Sequence, residues 1–143
     1  MARFLVLDDD YATVSALSRL LRDDGHEVEP FVSPAVAIEA LSRESFDAVI
    51  TDLEMPRVSG VEVLRVAREH APHACLIVVT TKAGMEDQLA EKGACIVLEK
   101  PIDYATVTKT VGVCPARGGP GIHGVCHLKS GGGEPPLIEL RRR

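Results

Sequence analysis

Five short apolar runs, each followed by an amphipathic stretch, restrict this chain to very few architectures. The runs are Arg3–Leu7 (RFLVL), His26–Phe31 (HEVEPF), Asp47–Thr51 (DAVIT), Cys75–Thr80 (CLIVVT) and Cys95–Glu99 (CIVLE). All have strand length, and Pro30 marks the second as a short or edge strand. After the first run, Val14, Leu17, Leu20 and Leu21 fall at helical spacing over Ala12–Asp24, and Gly25 stands where a helix-ending glycine belongs. Ser33 reads as an N-cap with Pro34 at the first helical position of a helix reaching Glu44. Gly60–Ala71, a short Gly84–Lys92 and Asp103–Val113, with Asp103 as N-cap, complete the series. Strand–helix repeated five times predicts an α/β domain: a parallel sheet, doubly wound, with right-handed crossovers. The aromatics are few and tryptophan is absent, so the core must be Val, Leu, Ile and Ala, as in a sheet buried on both faces.

The chain has 143 residues and a net charge of −5, which predicts one domain and gives no reason to expect nucleic-acid binding. The apolar start Phe4–Leu7 is too short for a signal-peptide core, and no run approaches a membrane span. A soluble, cytoplasmic protein is expected, with its four cysteines as thiols. Residues 114–143 are dense in glycine and proline and keep no period, which predicts a flexible tail after a domain of residues 1–113. Cys114, His123, Cys126 and His127 in that tail match no common zinc spacing.

In doubly wound sheets the ligand site lies beyond the carboxyl ends of the strands. Those ends carry Asp8, Asp9 and Asp10 after the first run and Asp52 after the third. Thr80 and Thr81 end the fourth, and Glu99, Lys100 and Pro101 end the fifth. Carboxylates converging on one rim repel one another unless a cation sits between them. A few hard oxygen ligands suit Mg²⁺, and a lysine can offset the remaining charge and hold a phosphoryl oxygen. Asp10 reads as a surface or capping residue.

The pieces FLVLDDD, FDAVITDLEMPRVSG, LIVVTT and GACIVLEKP, in this order and at these spacings, resemble the receiver domain of bacterial two-component response regulators. The resemblance covers about Ala2 to Val113. It implies a flavodoxin-like strand order 2-1-3-4-5 and a phosphoryl group accepted on Asp52 from a histidine kinase or phosphotransfer protein. It implies Asp8 and Asp9 as holders of Mg²⁺, joined by Asp52 and the Glu54 backbone carbonyl. Thr80 corresponds to the switch hydroxyl, and Lys100 to the lysine before a cis proline, Pro101. A protein-interaction surface would then be switched toward a downstream protein. The length leaves no room for a DNA-binding or enzymatic output domain, so a stand-alone receiver is expected, monomeric or dimerising on phosphorylation.

The chain departs from the pattern in three places. Val97 stands three before the lysine, where relatives often carry an aromatic gate. The helix after Thr80 reads as short. Glu54 and Lys82, two past the acceptor and two past the switch, are placed to form an ion pair across the site. Two rival readings remain: a phosphorylation-independent scaffold, and an aspartyl-nucleophile phosphatase, for which Glu54 replaces the usual second aspartate.

Overall fold

The computed structural model describes residues 2–113 and 126–127. Its elements run β1 (Arg3–Leu7), α1 (Tyr11–Asp23), β2 (Glu27–Phe31), α2 (Pro34–Arg43), β3 (Ala48–Asp52) and α3 (Gly60–His70). They continue with β4 (Cys75–Thr80), α4 (Glu86–Glu91), β5 (Ile96–Glu99), α5 (Tyr104–Val113) and β6 (Cys126–His127). All pairings are parallel, in the order β2-β1-β3-β4-β5-β6. The first five strands follow the expected 2-1-3-4-5 order.

The two-residue β6 is an addition to that expectation. It falls in the segment read as a flexible tail and pairs Cys126 with Ile96 and His127 with Val97. The β5 edge would otherwise present unpaired backbone N–H and C=O groups, which favour any available strand. Cys114 and His123 lie outside the described residues, and β6 is described by its backbone alone.

Strand periodicity sorts the core into two layers. Phe4 and Val6 of β1, Ala48 and Ile50 of β3, Cys75, Ile77 and Val79 of β4, and Ile96 and Leu98 of β5 pack with α1 and Val107 of α5. Leu5 and Leu7, Val49, Leu76 and Val78, and Val97 point to the other face, against α2, α3 and Leu89 of α4. Each fully buried Leu or Ile contributes about 1.5–3 kcal/mol. The same alternation carries on past the strand ends: Asp8, Asp52 and Lys100 share the parity of Phe4, Ala48 and Ile96, hence the α1–α5 side.

Local signals set the helix starts. Ser33 accepts from the Val36 N–H (3.5 Å) with Pro34 following it, and Ser59 accepts from the Val61 N–H at 2.9 Å. Asp10 caps α1, accepting from the Ala12 N–H at 3.3 Å and the Thr13 hydroxyl at 2.7 Å. The short helix expected after Thr80 is shorter still: α4 begins at Glu86, has no side-chain cap and buries only Leu89. His26, half-buried, accepts the Ala2 N–H on Nδ1 at 3.0 Å and meets Phe4 edge-on at 5.1 Å. Among the described residues no helix is long and apolar enough to cross a membrane.

Candidate functional site

β1 and β3 are neighbours, and their ends bring Asp8, Asp9 and Asp52 together: one ligand oxygen from each lies within 4.8 Å of the others. Asp8 and Asp52 are buried at 5% and 4% exposure, and Asp9 is exposed. Asp8 is oriented by the Asp10 backbone N–H, which donates to its Oδ1 at 2.9 Å. Lys100 reaches across from β5, 3.3 Å from Asp52 Oδ1 and 3.4 Å from Asp8 Oδ2. The bond between Lys100 and Pro101 is cis.

Burial, and after it the charge of Asp8, pushes Asp52 above the ordinary carboxylate value; Lys100 works against them. Burial likewise opposes the Lys100 ammonium, but the charges of Asp8 and Asp52 outweigh it and hold Lys100 above its usual range. Asp52 Oδ1 is buried without a hydrogen bond, so its contact with Lys100 is an ion pair rather than an aligned hydrogen bond. An under-satisfied carboxylate oxygen beside two more carboxylates is a donor set that fits a hard divalent cation. A cavity of about 560 Å³ opens beside these groups, its apolar part lined by Val6, Leu17, Ile50, Val79 and Ile102.

Thr80 ends β4 beside Asp52, one register step beyond the pair Asp52–Val79. Its hydroxyl donates to Glu54 Oε2, and the Lys82 N–H donates to Thr80 Oγ1 at 3.1 Å. Glu54 Oε1 accepts the Thr81 N–H at 3.4 Å.

The comparisons with known proteins agree with this geometry. A sequence model of the response regulator receiver domain matches residues 4–112. This chain belongs to the receiver domains of two-component response regulators. It is 37% identical over 105 residues to a protein-glutamate methylesterase/protein-glutamine glutaminase of Anaeromyxobacter dehalogenans, covering 69% of this chain and 29% of that one. The receiver domain structure from Clostridium thermocellum superposes with a TM-score of 0.74 at 28% identity, covering 82% of this chain and 95% of that one. The chemotaxis response regulator CheY4 of Vibrio cholerae gives a TM-score of 0.71 at 29% identity, covering 78% and 96%. The receiver spans less than half the length of the curated relatives it matches.

Asp8, Asp9, Asp52 and Lys100 therefore converge as their positions in the sequence predict. One expectation needs correction. Among the described residues no ion pair joins Glu54 to Lys82: Glu54 is taken up by Thr80 and Thr81, and Lys82 contributes its backbone N–H. Thr81 is exposed at the rim and lines the cavity with Asp8 and Asp52. Val97 is buried among the aliphatic residues of the α3–α4 face, so no aromatic gate occupies its place. Sequence reasoning overlooked the role of Gly60. Its N–H donates to the Leu53 carbonyl at 3.0 Å, and a Cβ there would stand 2.5 Å from the Asp52 carbonyl oxygen. The signal was present in the serine–glycine start of α3 directly after the loop that follows Asp52.

Proposed function

We propose that this receiver accepts a phosphoryl group on Asp52 from a histidine kinase or phosphotransfer protein and thereby switches a protein-binding surface. The observation that carries this reading is the buried Asp52 Oδ1, without a hydrogen bond and flanked by Lys100, Asp8 and Asp9. Receiver domains generally bind Mg²⁺ at an acidic pocket. Here Asp8, Asp9 and Asp52, with the Glu54 backbone carbonyl, are the groups to hold it. When bound, Mg²⁺ supplies neutralising charge for the phosphoryl oxygens.

The chain's own residues do the rest. Asp52 offers a carboxylate oxygen as nucleophile, and that oxygen forms the bond to phosphorus as the donor's leaving group departs. Lys100 stands where it would pair with a transferred phosphoryl oxygen. Thr80 brings a hydroxyl to a second oxygen, and the loop after β4 follows it. Phosphorylation of Asp52 and its reversal are then self-catalysed steps of a signalling domain rather than turnover of an external substrate. We take residues 1–113 as the receiver unit, acting in the cytoplasm as a monomer or phosphorylation-dependent dimer on a downstream protein.

Incubation with Mg²⁺ and acetyl phosphate tests the reading. The wild type is expected to become about 80 Da heavier, the mass of one phosphoryl group, and Asp52→Ala to stay unchanged. No adduct on the wild type would leave a phosphorylation-independent scaffold. Sustained phosphoester hydrolysis would favour a phosphatase.

A further inference from the structure

The loop after β4 starts on a hydrogen-bond chain that phosphoryl transfer itself does not need. The Lys82 N–H donates to Thr80, the Thr80 hydroxyl donates to Glu54 Oε2, and the Thr81 N–H donates to Glu54 Oε1. Both oxygens of one carboxylate thus hold two successive loop residues. Thr80 is wholly buried, so its hydroxyl has no water to replace a lost acceptor. A hydroxyl has one proton and serves one strong acceptor at a time. For Thr80, bonding Glu54 and bonding a phosphoryl oxygen on Asp52 are therefore mutually exclusive.

We propose that Glu54 is a positioning residue whose side chain tethers the Thr80 hydroxyl and the Thr81 amide in the resting state, so that phosphorylation must break this tether before the loop can move. The inference rests on Asp52 as the acceptor. It gives Glu54 a function distinct from that of its backbone carbonyl. The tether stabilises the resting arrangement alone, and any group that stabilises one of two states biases the equilibrium by that difference. Glu54 then sets how strongly a phosphoryl group must pull to switch the domain. Its negative charge would also oppose an incoming anion, and the two effects can be separated. Glutamine keeps an oxygen that accepts from Thr80 but carries no charge, whereas alanine removes both.

The test is a titration with beryllofluoride, a phosphoryl mimic, in saturating Mg²⁺, followed through the Thr81 amide by NMR. Glu54→Ala is expected to bind the mimic about ten-fold more tightly than wild type, the size of one charge-assisted hydrogen bond. Before any mimic is added, its Thr81 amide should already lie toward the bound position. Glu54→Gln should fall between the two. In a Thr80→Val background most of the Glu54→Ala gain should vanish, because the gain passes through the hydroxyl. Equal gains for alanine and glutamine, an undiminished gain with valine at position 80, or no gain at all would each overturn the tether. A wild type that neither binds the mimic nor gains mass from acetyl phosphate would overturn the acceptor reading, and the tether with it.

Discussion

The Lys100 ammonium lies 3.3 Å from Asp52 Oδ1, bridging from β5 to the end of β3 with β4 between them. Asp8 Oδ2, at 3.4 Å, shares the same ammonium. Among the described residues no other cation pairs with either carboxylate. Replacing Lys100 by methionine keeps the stem but leaves two buried charges facing each other. Without metal, the variant should lose roughly 1–3 kcal/mol at neutral pH, a range kept below that of a fully buried pair because Lys100 is partly exposed. The deficit should shrink in acid, as Asp52, held above the ordinary carboxylate value, protonates. Urea denaturation at neutral and acidic pH checks this; an equal deficit at both would exclude charge as its cause.

Asp52 itself should be a stability cost held for function. Its carboxyl lies above the ordinary value because burial, and then Asp8, oppose its charge. The folded state therefore binds the proton more tightly than the unfolded chain. Stability from this group is fully present below the unfolded value of 3.8 and falls as pH rises through the raised folded value. Asp52→Asn should stabilise the metal-free protein at neutral pH by about 1 kcal/mol. Mg²⁺ should raise the wild-type melting temperature and raise that of the variant less. Differential scanning calorimetry with and without Mg²⁺ decides it; a destabilised Asn variant would contradict the argument.

What the sequence revealed, and what it did not, follows from the range of each interaction. The five parallel strands were legible because period-2 burial and helical spacing are local properties. Asp8, Asp52 and Lys100 were legible because strand ends in such a sheet share one rim. The Glu54–Thr80 contact was not, because it depends on side-chain direction between residues 26 apart in sequence, and nothing in their composition distinguishes it from an ion pair with Lys82. The capping of α1 by Asp10 was open to reading, whereas the two-residue β6 was not, since a pair that short carries no periodicity.

Gly60 should be irreplaceable for reasons of space. A Cβ there would meet the Asp52 carbonyl oxygen at 2.5 Å and the Leu53 Cα at 2.9 Å, both backbone atoms that cannot swing aside. Gly60→Ala must push α3 away from the end of β3 or displace Asp52. It should destabilise by roughly 1–3 kcal/mol and slow phosphorylation by acetyl phosphate at least about ten-fold, since small displacements of a reacting group are costly. Denaturation together with initial phosphorylation rates tests both halves. Wild-type rates in a destabilised variant would show that the strain is absorbed in α3 alone.

Tyr104 ties α5 to α1, and this contact should leave a mark in alkaline solution. Its hydroxyl lies within reach of two acceptors, the Leu20 carbonyl at 2.8 Å and Asp24 Oδ2 at 2.6 Å, and donates its one proton to either. Burial, followed by the Asp24 hydrogen bond, pushes its pKa up from 10.0 to about 12. The folded state thus favours the neutral phenol. This contribution is complete below the unfolded value of 10.0 and is lost as pH rises through the folded value of about 12. Tyr104→Phe should cost about 1 kcal/mol at neutral pH and remove that alkaline loss of stability. Absorbance of the phenolate should show a late step near pH 12 in the wild type that disappears in the variant. A late step that survives in the Tyr104→Phe variant would place the perturbed phenol elsewhere and break the proposed link between α1 and α5.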